Sequence, residues 1–236
     1  MNARASGFTL IEIAIVLVII GLLLGGVLKG QELITGARVR NLTSQQDGIK
    51  AAFFGFQDRY RALPGDYASA STNINCNPNP PGCPNGDGNG RIESPDTPGS
   101  TASAHEEIFA WTHLTAAGFL NGSYSANSAA TSAAPDNTPT NPYSVYLQLI
   151  FDQTYGDPSS TVAAKHNLKT GFQVPVEILA EVDRKIDDGK PFSGAFQYSD
   201  FDPMSGGPNY IECVDTTTQT WFVSTGATNC GGASLL

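Results

Sequence analysis

Apolar residues follow two regimes in the first quarter of this chain. From Phe8 to Leu28 they run almost unbroken, interrupted only by Thr9 and by one carboxylate at Glu12. Ile13 to Leu28 carry no charge. As a helix, the 21 residues from Phe8 to Leu28 span roughly 31 Å at ~1.5 Å per residue, close to the ~30 Å hydrocarbon core of a bilayer. Beyond Lys29 the pattern thins. Leu42, Ile49, Phe53, Phe56, Tyr60 and Leu63 recur at steps of seven, four, three, four and three, which is one face of a helix. Arg38, Asn41, Gln45, Gln46, Lys50 and Arg59 are assigned to the opposite face. No proline occurs between Met1 and Leu63, and Pro64-Gly65-Asp66 is a stop signal. One long helix is predicted, apolar all round at first and then striped. The stripe needs a partner, and too few heptads are present for an independent coiled coil.

Downstream the polar punctuation dominates. Residues 68–104 and 121–141 are rich in Pro, Gly, Asn, Ser and Ala and read as loops. Between them, His105 to Leu120 reads as a short helix with Ile108, Trp111 and Leu114 on one side. Tyr143, Val145, Leu147, Leu149 and Phe151 alternate as in a strand. Pro175 to Ile186 fits a helix stopped by Asp187-Asp188-Gly189. Two closing strands are expected around Tyr210–Val214 and Trp221–Ser224, with Phe196 and Tyr198 starting a third. The fold class is α+β: a long N-terminal helix, membrane-spanning in its first half, packed on a small antiparallel sheet with helical and loop insertions. The division expected is a leader over 1–7, a transmembrane helix over 8–28, an amphipathic continuation over 29–63 and a globular head over 64–236.

Charge narrows the function. Of 236 residues, 13 are basic and 22 acidic, a net charge of −9. That balance argues against nucleic-acid binding, which needs a basic surface to replace counterions. Arg4 places the short N-terminus on the cytoplasmic side, so the head lies outside the cytoplasm. The four cysteines, Cys76, Cys83, Cys213 and Cys230, suit an oxidising compartment. Three pairings are open; proximity favours Cys76–Cys83 and Cys213–Cys230. A zinc site lacks the short knuckle spacing and an adjacent histidine.

A carboxylate inside an apolar run is costly and needs a reason. A secretory signal has a shorter apolar core and a small-x-small cut site, and the nearest such site, Thr35-Gly36-Ala37, lies beyond Lys29 and Glu32. An ordinary anchor explains neither Glu12 nor the Gly7-Phe8 junction. The residues Gly7-Phe8-Thr9-Leu10-Ile11-Glu12 resemble the processing site of type IV pilins and type II secretion pseudopilins. The resemblance implies cleavage after Gly7 by a prepilin peptidase and N-methylation of Phe8. It also implies that Glu12 meets the terminal amine of a neighbouring subunit during assembly. The family's common proline is replaced by Lys29, so any local melting would rest on Gly21, Gly25 and Gly26. Leu63-Pro64-Gly65-Asp66, the Asn-Gly-Asp-Gly-Asn-Gly run from Asn85 and Lys185-Ile186-Asp187-Asp188-Gly189 look, more loosely, like a subgroup of prepilin-type proteins.

One segment offers chemistry. Asn85 to Glu93 resembles a calcium loop, with alternate oxygens at Asn85, Asp87 and Asn89, a turn at Gly90, the Arg91 carbonyl and an Ile92 anchor. Position one is Asn, and position twelve is Asp96 instead of a bidentate Glu. Glu93, Glu106 or Glu107 would have to complete the shell. His105, His113 and His166 are scattered and form no catalytic motif, and Trp111 and Trp221 read as core. The expectation is a non-enzymatic filament subunit, made as an inner-membrane precursor and assembled through its helix into a periplasmic or extracellular pilus or pseudopilus, as a major or minor subunit. Its partners would be other pilin or pseudopilin subunits, the peptidase, the membrane and an inner-membrane assembly platform. The alternative is a membrane-tethered calcium-binding adhesive or ligand-binding module that does not polymerise.

Overall fold

A computed structural model describes residues 9–76, 83–97, 99–204 and 206–236. Helix α1 runs from Leu10 to Tyr60. The chain divides into two compact units, one ending at Arg38 and one beginning at Val39. In the first, the side chains of Leu10 to Leu28 are exposed, and no residue of the most apolar stretch is buried. By length and composition this helix can cross a membrane. It stays helical through Gly21, Gly25 and Gly26, where nothing but its own backbone lies within 4 Å of an added Cβ.

In the second unit the striped half of α1 is core. Val39, Leu42, Ile49, Ala52, Phe53 and Phe56 are buried, and so is Gln46, which the helical wheel assigned to the polar face. Ile49, Phe53 and Phe56 pack with Ile92, Trp111, Leu147, Leu149 and Leu168. Val39 and Leu42 join a second cluster with Val176, Leu179, Phe196 and Trp221. Burying each such side chain contributes roughly 1.5–3 kcal/mol, which is why this half of the helix belongs with the head.

Two short helices follow, α2 (Ala70–Asn73) and α3 (Glu106–Ala116). Then come strands β1 (Gln148–Asp152) and β2 (Lys165–Lys169), helix α4 (Val176–Ile186), strand β3 (Phe196–Tyr198), helix α5 (Tyr210–Cys213) and strands β4 (Val214–Asp215), β5 (Thr220–Trp221) and β6 (Gly232–Leu235). The main sheet is antiparallel with strand order β1-β2-β6-β3, and β4 pairs with β5. Disulfides join Cys76 to Cys83 and Cys213 to Cys230, with Cα–Cα separations of 5.3 and 5.7 Å.

Three local readings are corrected. The strand drawn from Tyr143 begins only at Gln148, because Asn141 folds the chain ahead of it. Its Oδ1 accepts the N–H groups of Tyr143 and Val145 at 2.8 and 3.0 Å, and Ser144 takes φ +64°. Tyr210–Val214 is mostly a turn of helix, closed by Glu212 N–H on the Asn209 carbonyl at 3.0 Å. The expected strand at Trp221–Ser224 ends at Trp221, and Val223–Thr225 is a 3-10 turn.

Candidate functional site

Two regions carry the chemistry singled out in the sequence. The first is the start of α1. Thr9 precedes the helix, and its N–H and hydroxyl both donate to Glu12 Oε2, at 2.8 and 2.7 Å. The Glu12 N–H donates back to Thr9 Oγ1 at 3.3 Å. This is a capping box, in which a Thr and a Glu three residues later satisfy each other's free backbone donors. The Thr-x-x-Glu spacing was legible but was overlooked beside the cost of the charge. Gly7 and Phe8 lie outside the described residues.

The second region gathers at the end of α1. Pro64-Gly65-Asp66 turns the chain, and the glycine-rich loop folds back onto that turn. Gly65 sits at φ +93°, and a Cβ there would lie 2.3 Å from the Glu106 carbonyl. At Gly86 an added Cβ would lie 2.3 Å from the Gly65 carbonyl and 2.4 Å from Asp66 Cα. Only glycines allow this approach. Asp66 Oδ1 and Oδ2 accept the N–H groups of Asn89 and Gly90, each at 2.9 Å. Glu106, in the first turn of α3, accepts Asp87 N–H at 2.9 Å and Glu93 N–H at 3.1 Å. His113 of α3 holds the assembly from behind. Its Nδ1 accepts Gly65 N–H at 2.9 Å, and its Nε2 lies 2.8 Å from the Pro84 carbonyl, to which it donates. Only the neutral ring satisfies both partners, and burial pushes its pKa down to about 4.

Carboxylate oxygens of Asp66, Asp87 and Glu106 therefore converge within 4.8 Å of one another. Asp66 and Glu106 are buried and Asp87 is exposed. Burial pushes the Asp66 carboxyl up to about 6, outweighing its backbone donors. Burial also pushes Glu106 up to about 7, and the charges of Asp66 and Asp87 add to the effect. Crowded carboxylates of this kind are relieved by a proton or by a cation.

Of the ligands expected from the sequence, the structure brings Asp87 and Glu106 together and adds Asp66, which had been read only as a helix stop. The others turn elsewhere. Asn85 Oδ1 accepts Ser71 N–H at 2.8 Å. Asn89 Oδ1 accepts Arg91 N–H at 2.8 Å, and its amide nitrogen donates to Asp87 at 3.0 Å. Glu93 pairs with Arg91 at 3.6 Å, and Glu107 bonds His105 at 2.8 Å.

A second acidic group, Asp183, Asp187 and Asp188, closes α4. Asp183 accepts Trp221 Nε1–H at 2.6 Å, and Asp187 accepts the N–H groups of Ala195 and Phe196. Asp188 accepts Lys190 N–H at 2.9 Å and the Ser193 hydroxyl at 2.6 Å. Burial, with Asp187 beside it, pushes Asp183 up to about 8. By geometry either triad could hold a metal ion.

Comparison with known proteins adds one decisive match. Residues 2–28 fit the family model described as the prokaryotic N-terminal methylation motif. The chain carries this motif. The motif is typical of type IV pilins and type II secretion pseudopilins, and its family points to a structural role. The architecture agrees: a long N-terminal apolar helix with a four-stranded antiparallel sheet and additional helices is an α+β pilin-like fold. The pilin-like chain matches no curated protein and no solved structure, so its head stands on its own geometry.

Proposed function

We propose that this chain is a non-enzymatic, prepilin-type filament subunit. It is inserted in the inner membrane with its N-terminus in the cytoplasm, cut after Gly7 by a prepilin peptidase and methylated at Phe8. It then joins other pilin or pseudopilin subunits in a type IV pilus or a secretion pseudopilus. One observation carries the reading. The methylation motif over residues 2–28 takes in the start of a helix whose apolar side chains are exposed from Leu10 to Leu28, a stretch whose only carboxylate is Glu12. Such a surface is stable in lipid or against other copies of itself, not in water. Gly7→Leu tests it. Mature wild-type chain should begin at N-methyl-Phe8 by N-terminal mass spectrometry, and the variant should remain uncut in the membrane. Mature material that retains Met1 would refute the processing step.

The acid triad favours one addition. Asp66, Asp87 and Glu106 would hold calcium outside the cytoplasm, where the ion reaches millimolar levels and sites of ~10⁻⁴–10⁻³ M suffice. The ion would supply the positive charge that three crowded carboxylates lack.

A further inference from the structure

Away from both acidic groups, the sheet buries a lysine where β2 meets the edge strand β1. Lys169 on β2 and Asp152 on β1 form an ion pair whose side chains are only 2% and 4% exposed. Asp152 pairs in register with Lys165, so its side chain shares a sheet face with Asn167 and Lys169, two and four residues further along β2. Lys169 Nζ is in direct contact with Asp152 Oδ2. The Phe201 ring covers the amine at 5.5 Å. A buried ion pair recovers its desolvation cost only with excellent geometry and further hydrogen bonds, and here the bonds are arranged in a particular way. Asp152 Oδ1 accepts Asn167 Nδ2–H at 2.8 Å and Thr154 N–H at 3.3 Å. The Thr154 hydroxyl touches Asp152 Oδ2 and Lys169 Nζ, each at 2.5 Å.

We propose that Lys169 and Asp152 condense to an intramolecular amide that ties β2 to β1. The pair supplies nucleophile and acyl group, and its neighbours supply the rest. One ammonium proton passes to Asp152 Oδ2 along the existing hydrogen bond. The freed amine attacks Cγ. Negative charge gathers on Oδ1, where the two N–H donors already point, as in an oxyanion hole. A second proton travels through Thr154 Oγ1 to Oδ2, the Cγ–Oδ2 bond breaks, and water leaves. Of the three ammonium protons, one stays on the amide nitrogen and two depart in the water. Atoms and charge balance without an oxidant, a cofactor or an outside acid. A cavity of about 350 Å³, lined by Asp152, Thr154, Lys169 and Trp111 among others, adjoins the pair and gives the water an exit.

The electrostatics agree with this geometry. Burial holds the Lys169 amine below the ordinary lysine range, against the pull of Asp152 and of the exposed Asp200. Burial also pushes the Asp152 carboxyl up, but the Lys169 charge and the bonds from Lys169, Thr154 and Asn167 outweigh it and hold the resting group ionised. The ion pair is the starting state, and proton transfer within it gives the reactive one. The inference does not depend on filament assembly.

Peptide mapping tests it on the full chain, extracted in detergent, reduced, denatured and digested with trypsin. An acylated Lys169 is not cut. Residues 92–165 should therefore be recovered joined to residues 166–184 as one species, lighter by one water than the two parts. Fragmentation should place the junction at Asp152 and Lys169. Lys169→Arg keeps the ion pair but cannot close the same bond, so its peptides should separate. Complete cleavage after Lys169 in the folded wild-type chain, or a junction at any other carboxyl, would overturn the proposal.

Discussion

Glu106→Gln measures what the crowded acids cost. Glu106 is 1% exposed, and burial pushes its carboxyl from an ordinary 4.5 up to about 7. A carboxyl raised in this way binds its proton more tightly in the folded chain than in the unfolded one. Its stabilising state is complete below the ordinary value of 4.5 and is lost as the pH climbs through about 7. At about 1.4 kcal/mol per pH unit the loss comes to about 3.5 kcal/mol. Water at the exposed Asp87 edge screens part of it, leaving about 2 kcal/mol. Glutamine does not ionise, so the variant escapes this loss. In chelator, the stability difference should therefore move in the variant's favour by about 2 kcal/mol between pH 4.5 and 8, or about 4–8 °C in melting temperature for a unit of this size. Asp183, His113 and His166 titrate alike in both chains and drop out of the difference. Asp66 relaxes when its neighbour is neutral and adds in the same direction. Melting is followed by fluorescence of Trp111 and Trp221, both buried in the head. At pH 8, millimolar calcium should restore the wild type and leave the variant nearly unmoved. A difference that stays flat with pH would refute the crowding argument, and a wild type indifferent to calcium would remove the ion from it.

Glu12→Leu should leave membrane insertion unchanged or improved, because a charge is removed from the apolar run. Its share in sheared filaments should fall, and normal incorporation would contradict the assembly role. Gly86→Ala should lower stability by about 1–3 kcal/mol in thermal melts, since the atoms its Cβ would strike are backbone and cannot step aside. Replacing Cys213 and Cys230 together with Ala should cost about 3 kcal/mol, the chain-entropy value for a bridge across a sequence separation of 17. Denaturant midpoints with an unchanged slope would measure it, and an unshifted midpoint would show the bridge to be dispensable.

Elements that announce themselves by apolar period were legible, and those built from polar or small residues were not. α4 was placed to within one residue and the end of α1 to within three, because their stripes are regular and proline marks both the end of one and the start of the other. β2, Lys165-His166-Asn167-Leu168-Lys169, was missed. It has no hydrophobic alternation, since the face a core strand would fill with apolar residues carries Asn167 and Lys169 toward Asp152. β6, Gly232-Ala233-Ser234-Leu235, was missed for lack of bulk. A Cβ at Gly232 would lie 2.3 Å from the Phe196 ring, so the neighbouring strand requires the absence that concealed it. At the acidic centre the loop was visible because glycine and oxygen side chains alternate. Asp66 was not, because its part depends on a contact between residues 66 and 89–90 that no local pattern records.

β6 comes last in sequence, yet it lies inside the sheet, hydrogen-bonded to β2 on one side and β3 on the other. While residues 232–235 are still missing, the β1–β2 hairpin and β3 have nothing to join them, and each presents an unpaired edge to any other strand it meets. β1, β2 and β3 are all made before β6, so the main sheet cannot close until that strand is added. Until then the strands already made wait for a partner distant in sequence, the kind of pairing that makes sheets slow to form. An interruption of synthesis between β3 and Gly232 would thus leave exposed strand edges in place of a closed sheet.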